Sequence, residues 1–308
     1  MELWIPLTIA AAFMQNVRSL LQKQLTGRLS VTGAMATRFL YAAPFAVLYV
    51  ALLAQLQGVA LPQPSAPFLV WCVTGGVAQI VGTQLLVGLF QQRNFAVGTA
   101  YSKTETVQAA LFGALLLGEH IDLRTAAAIG VSLVGVLLFS LSSAPLRPVN
   151  LITGLFSAVG LRGLASGSAF GVSAVCYRAA TTSLADPAAA THSYLMQAAF
   201  TLACVTLLQS LLLIVYMRSR EPKTLRAVRA AWRPAVWVGV AGMLASTGWF
   251  TAMTLGPVAQ VRTLGQIELL FTFLTATLWF RERVRPAEAV GVALLVAGIA
   301  LLLRRTTA

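Results

Sequence analysis

The chain has 308 residues and a formal net charge of +13, yet 58% of its residues are hydrophobic and only 10% are charged. That balance lies outside the range of soluble domains, in which roughly a quarter of residues are charged. It also undercuts nucleic-acid binding, the usual meaning of a basic balance, because apolar runs of spanning length, about 20 residues each, fill most of the sequence.

In chain order these runs predict ten transmembrane helices at 3–21, 33–55, 67–90, 95–117, 123–141, 163–181, 189–217, 234–254, 257–280 and 286–303. The expected fold is an all-α integral membrane protein without room for a separate soluble domain. The N-terminus shows no basic stretch followed by a small-residue cleavage site, so the first run is expected to be retained. The stretch SSAPLRPVN (142–150) leaves five helices on each side. It suggests a first five-helix repeat at 1–143, a linker at 144–162 and a second repeat at 163–308. An odd number of crossings per copy makes the repeats inverted.

Two connections stay open to two readings. Residues 151–162 read either as an interfacial segment or as a long start to the sixth helix. In 218–233, Lys223, Arg226, Arg229 and Arg233 recur at helical spacing opposite Leu225, Val228 and Trp232. That suits a short amphipathic helix on an anionic cytoplasmic leaflet, or a solvated charged loop. The odd-numbered connections hold fourteen basic residues, whereas the even ones and both tails hold only Arg124, Arg304 and Arg305. By the positive-inside rule the odd connections are cytoplasmic and both termini lie outside.

The duplication is legible in the residues themselves. Glu105, Glu119 and Gly135 recur as Glu268, Glu282 and Gly298, each 163 positions later. Gly76 and Gly82 recur as Gly242 and Gly248 at an offset of 166, and Lys23 as Arg178 at 155. Two small-residue ladders, Gly163-Gly167-Gly171 and Ala289-Ala293-Ala297, predict close helix packing. Cys72, Cys176 and Cys204 fall singly in apolar segments and read as buried hydrophobes.

A charge in the bilayer needs a partner, a hydrated cavity or a function. Arg18, Arg38, Lys103, Arg178 and Arg262 lie within or at the ends of predicted helices, and Glu105 and Glu268 near the middle of theirs. Thr99 and Lys103 share one helical face, as do Arg262 and Gln266, and the two faces are equivalent in the two copies. With Tyr101, one turn before Glu105, these are the candidate substrate-binding residues: Thr99, Tyr101, Lys103, Arg262 and Gln266. Lys103 and Arg262 read equally as stems packed without a ligand. Glu105 and Glu268 lie about 200° round from Lys103 and Gln266 and are not expected to pair with them on their own helix. They read as a proton or cation relay, or as braces across helices that cap a broken helix. Arg18, Arg38 and Arg178 are expected to snorkel to headgroups, and His192 to be structural. Trp4, Trp232 and Trp237 look interfacial.

Two five-helix copies, each closing with a buried glutamate, an apolar run, an acid at the membrane exit and a glycine-punctuated last helix, resemble EamA-type members of the drug/metabolite transporter superfamily. Gly118-Glu119 matches the family's "GE", and Arg281-Glu282 matches it with the glycine replaced. Gly291 and Gly298 match its last-helix glycines. Glu105 and Glu268 match the glutamate of its "EP" dipeptide, with Thr106 and Leu269 in place of proline. The resemblance implies a secondary transporter working by alternating access around a cavity formed by helices one to four and six to nine. No cofactor is expected.

Five intramembrane cations against two acids point to an anionic or zwitterionic substrate, such as an amino acid or organic acid, moved outward. Competing readings are a proton-coupled multidrug exporter and a lipid or lipid-linked sugar flippase. An enzyme is not expected: two histidines 72 positions apart make no zinc site, and GxSxG and HExxH are absent. The expected partners are a small-molecule substrate, membrane lipids and protons as a coupling ion, with no nucleic acid and no metal, as monomer or homodimer. Alanine-rich, arginine-over-lysine usage suggests a bacterial inner membrane.

Overall fold

The structure is a computed structural model that describes residues 2–25, 28–89, 95–141, 156–185, 193–279, 281 and 284–304, with the side chains of 23, 95–97, 99, 276 and 279 also left aside. Every regular element among the described residues is helical. In chain order these are α1 (Trp4–Leu25), α2 (Val31–Leu40), α3 (Ala43–Gln57), α4 (Ala66–Leu89), α5 (Phe95–Ser102), α6 (Glu105–Leu117) and α7 (Leu123–Leu141). The second half holds α8 (Ala158–Ser183), α9 (Tyr194–Arg220), α10 (Pro222–Ala230), α11 (Trp232–Leu255), α12 (Val258–Gly265), α13 (Glu268–Leu274) and α14 (Pro286–Leu303), with a π-helical turn at Thr275–Trp279.

Among the described residues, seven helical segments are long and apolar enough to cross a membrane: Val31–Gln57, Ala66–Leu89, Leu123–Leu141, Ala158–Ser183, Tyr194–Arg220, Trp232–Leu255 and Pro286–Leu303. Three of the ten predicted runs, the first, fourth and ninth, fall outside these seven. The first predicted run is the 22-residue α1, which carries Gln15, Asn16 and Arg18 and lies outside the seven. The fourth and ninth are each broken in two. Within Val31–Gln57, α2 and α3 meet at Tyr41-Ala42. There Pro44, lacking an N–H and crowding the preceding turn, interrupts the ladder.

Contacts gather the chain into two compact units, Met1–Ile5, Val81–Val175 and Pro257–Ala308 in one and Pro6–Ile80 with Cys176–Gly256 in the other. Each draws on both sequence copies. In the first, α7 and α14 cross at glycine. A Cβ on Gly135 would lie 2.6 Å from the Gly291 carbonyl oxygen, and one on Gly298 would lie 2.8 Å from the Ser132 amide. The glycine ladder of α8 also packs closely: a Cβ on Gly163 would sit 2.3 Å from the Gly98 carbonyl oxygen and one on Gly167 2.9 Å from that of Ser102. The alanine ladder does not behave as expected. Ala289, Ala293 and Ala297 are exposed, because Gly291 and Gly298, without side chains, admit α7 more closely on another face of α14.

The second unit has its own core. Leu25, Leu29, Met35, Phe39, Leu213, Met217, Val228 and Val238 are buried together, so α1, α2, α9, α10 and α11 share one apolar centre. Gly239 of α11 meets the backbone at the α2–α3 junction, where its Cβ would stand 2.5 Å from the Tyr41 carbonyl carbon.

Candidate functional site

In the first unit the site is built around two helix breaks. Between α5 and α6 the ladder tightens to i→i+3 bonds: the Lys103 amide donates to Ala100 O and the Thr104 amide to Tyr101 O, each at 3.1 Å. The Thr104 hydroxyl also donates to Tyr101 O at 2.6 Å. The carbonyl that a continuous helix would hand to the Glu105 amide is thereby occupied by Thr104. Between α12 and α13 the Gln266 amide donates to Thr263 O at 3.1 Å and the Ile267 amide to Leu264 O at 3.0 Å. Each break falls one residue before a repeated glutamate, so Glu105 and Glu268 open the helices that follow. A carboxylate in the first turn suits the positive end of the helix dipole. The absence of the family proline does not keep these helices continuous.

The glutamates pair reciprocally across the two sequence copies. Lys103 Nζ stands 3.5 Å from Glu268 Oε1, and the Arg262 guanidinium pairs with the Glu105 carboxylate. Each of these pairs joins one broken helix to the other. Gln266 joins them by donating from Nε2 to Thr106 Oγ1 at 2.6 Å. Gln108 Nε2 donates to Thr104 Oγ1 at 2.8 Å, and the Ser168 hydroxyl donates to Gln108 Oε1. Tyr101 is buried, with its Cβ close to Gly163 of α8. The Thr99 side chain, His192 and Glu282 lie outside the described residues.

Glu119 has a defined place as well. Its Oε2 accepts a hydrogen bond from the Val258 amide at 3.0 Å, satisfying an orphan N–H at the start of α12, where Pro257 offers no side-chain cap. Gly118 before it adopts φ +66°, the left-handed C-cap that ends α6.

The second unit encloses a cavity whose lining includes Arg38, Phe39, Gln79, Thr206, Gln209 and Phe250. Its polar wall is cross-linked. Gln209 Nε2 donates to Gly76 O at 3.1 Å and to Gln79 Oε1 at 2.8 Å, and the Tyr177 hydroxyl donates to Gln79 Oε1 at 3.2 Å. Tyr177 stacks on Phe250 at a centroid distance of 4.6 Å. The Arg38 guanidinium carbon lies 4.6 Å from the Phe39 ring centroid. No acidic side chain lines this cavity among the described residues.

Three arginines depart from the snorkelling expected of them. Arg38, in the last turn of α2, faces the cavity, and Arg18 is buried. Arg178 donates from Nη1 to the carbonyls of Met253 and Gly256, the latter at 2.6 Å. Trp4 is buried too, whereas Trp232 and Trp237 are exposed. The sequence signal that could have singled out Arg38 was its place six residues before Pro44.

Several membrane-length helices define a multi-pass membrane protein, and its two helix breaks hold charges that are paired within the bundle. The chain belongs to the EamA-like transporter family, whose pattern matches residues 2–141 and 161–304, once for each repeat. It is thus an EamA-type protein of the drug/metabolite transporter superfamily. No curated protein gives a significant match to it. A solved structure described as "Crystal structure of protein" is similar to it over 99% of both chains, with a TM-score of 0.68 and 18% identity, a likeness of fold.

Proposed function

We propose that this transporter is a secondary active carrier for a small anionic or zwitterionic metabolite, an organic acid or amino acid, moved outward by alternating access. In this reading ten membrane-crossing elements form two inverted repeats in a bacterial inner membrane. The carrying observation is how the charges are sorted. Lys103 and Arg262 are met by Glu268 and Glu105, whereas Arg38 faces a cavity with no acid in its described lining. The cavity as it stands measures about 10 Å³, room for about one water; once alternating access widens it, the guanidinium would hold a carboxylate by two parallel hydrogen bonds. The Gln79–Gln209 pair would supply neutral polar contacts and Phe39 and Phe250 an apolar wall. Lys103, Arg262, Gln266, Glu105 and Glu268 then serve as a charge-balanced clasp at the two breaks, with Thr99 and Tyr101 beside it in sequence. Because both glutamates already meet cations, the metabolite reading is favoured over a cationic drug bound by acids.

The test is uptake of radiolabelled organic acids and amino acids into proteoliposomes holding the purified chain, under imposed proton and substrate gradients. Accumulation of at least one carboxylate is expected, with Arg38→Gln raising its KM while Arg38→Lys retains part of the affinity. Transport of cationic compounds alone, or an Arg38→Gln variant with unchanged KM, would overturn the reading.

A further inference from the structure

The connection between α9 and α11 carries Arg218, Arg220, Lys223, Arg226, Arg229 and Arg233, and each of these six side chains is exposed. One acid lies among them, Glu221, and its Oε1 accepts from the Thr32 hydroxyl at 3.1 Å. The opposite face of α10 is committed to protein. Val228 is buried, and Leu225 and Ala227 pack on the core containing Leu29, Met35 and Phe39. Tyr41 Oη donates to Val228 O at 3.0 Å, and the hydroxyls of Ser30 and Thr224 lie 3.2 Å apart. A Cβ on Gly33 would come within 3.1 Å of Thr224 Cγ2. This geometry corrects the picture of an amphipathic helix laying its apolar side into lipid: the apolar side is spent on α2, and the basic side faces outward from a fixed plate.

The position of the plate follows from its neighbours. It joins α9, of 27 residues, to α11, of 24, both long and apolar enough to span a membrane. A 27-residue helix is about 40 Å long, so α10 stands where both helices leave the hydrocarbon. Tyr216, Trp232 and Trp237, exposed by 48%, 54% and 65%, flank it as aromatic residues do at headgroup level. The Arg233 guanidinium lies 5.6 Å from the Trp232 ring centroid.

We propose that this plate binds the phosphate headgroup of an anionic phospholipid, and that the bound lipid steadies the start of α2. Charge complementarity supplies the first part: a basic cluster at the end of a spanning helix attracts anionic lipid. The contacts Glu221–Thr32 and Thr224–Ser30 supply the second. Ser30 is the N-cap of α2, accepting from the Gly33 amide at 3.2 Å, and the last turn of α2 carries Arg38 to the cavity. The plate is independent of which metabolite the carrier moves.

Native mass spectrometry of the full chain in neutral detergent, titrated separately with phosphatidylglycerol and phosphatidylcholine, tests the docking. Retention of phosphatidylglycerol should exceed that of phosphatidylcholine on the order of tenfold. Lys223→Gln/Arg226→Gln/Arg229→Gln/Arg233→Gln should lose that preference while keeping its lipid-free melting temperature. Should this variant not purify folded, Arg226→Gln/Arg229→Gln is judged by the same outcomes. Equal retention of the two lipids, or a preference that survives the substitutions, overturns the docking. Amide exchange over residues 31–40 in nanodiscs tests the coupling. Phosphatidylglycerol should slow exchange relative to phosphatidylcholine, and Thr32→Val should abolish the slowing while preserving lipid preference. Exchange indifferent to lipid in the parent chain overturns the coupling.

Discussion

Arg262 of the second sequence copy neutralises Glu105 of the first, and Lys103 of the first stands 3.5 Å from Glu268 of the second. The exchange is reciprocal because each break opens a new helix on a glutamate and leaves a polar residue in or beside the closing turn. In a membrane interior this arrangement keeps four charged side chains without a net charge, which lowers the cost of holding them there.

The Arg262–Glu105 pair should behave as one unit. Its side chains are 20% and 10% exposed, so removing Arg262 strands the Glu105 carboxylate, whereas Arg262 without Glu105 keeps the nearby Glu268. Arg262→Gln should cost about 3–5 kcal/mol and Glu105→Gln less, and the double variant should recover part of the loss. Thermal unfolding of the purified variants, combined as a double-mutant cycle, measures this. Strictly additive losses would show that the two do not stabilise as a pair.

The Lys103–Glu268 contact should be worth less. Both side chains are about a quarter exposed, at 23% and 24%, and the separation is longer. Lys103→Gln should cost about 0–1 kcal/mol, the range of solvent-screened pairs. A loss as large as that of Arg262→Gln in the same assay would contradict the ranking.

Two glycines on one helix should respond in opposite ways to alanine. A Cβ on Gly135 would lie 2.6 Å from backbone atoms of Gly291 and Leu295, neither of which can step aside. Gly135→Ala should therefore push α7 from α14 and cost about 1–3 kcal/mol. Nothing lies within 4 Å of a Cβ on Gly130. Gly130→Ala should be neutral, or stabilising by up to about 1 kcal/mol through helix propensity. Melting temperatures of the two variants decide the matter, and equal shifts would count against the crossing.

Glu119 should act as a cap delivered from another helix. Glu119→Ala leaves the Val258 amide without its acceptor and should cost about 0.5–2 kcal/mol. Glu119→Gln, which keeps a carbonyl oxygen, should lose less. Amide exchange at the start of α12 should quicken in the alanine variant; unchanged exchange there would remove the capping role.

Much of the helical layout could be read from the chain. The predicted runs 123–141 and 286–303 coincide with α7 and α14, and the run 95–117 spans α5 to α6. Hydropathy is a local property, and glycine, as at Gly118, marks a helix end by its own conformational freedom. The breaks before Glu105 and Glu268 were harder to see because no proline announces them. The first comes from hydroxyl and amide competition for one carbonyl, as Thr104 shows at Tyr101, and the second is a run of amides tightened onto Thr263 and Leu264. The small-residue ladders misled in α14, where spacing identified the alanine face and the glycine face made the contact.

The sequence by itself determined that the chain is rich in membrane-length apolar runs, that it is duplicated, that it resembles EamA-type transporters, and that Glu105 and Glu268 are repeated acids within those runs. Composition, run length and spacing suffice for the apolar runs and the duplication, and the motif residues carry the resemblance. Only the tertiary structure decided that Lys103 meets Glu268, that Arg262 meets Glu105, that Arg38 reaches a cavity, and that α10 turns its basic side outward. Those relationships join residues far apart in the chain. Such pairings depend on how helices cross and where they break, and hydrophobic periodicity along a single helix carries no record of either.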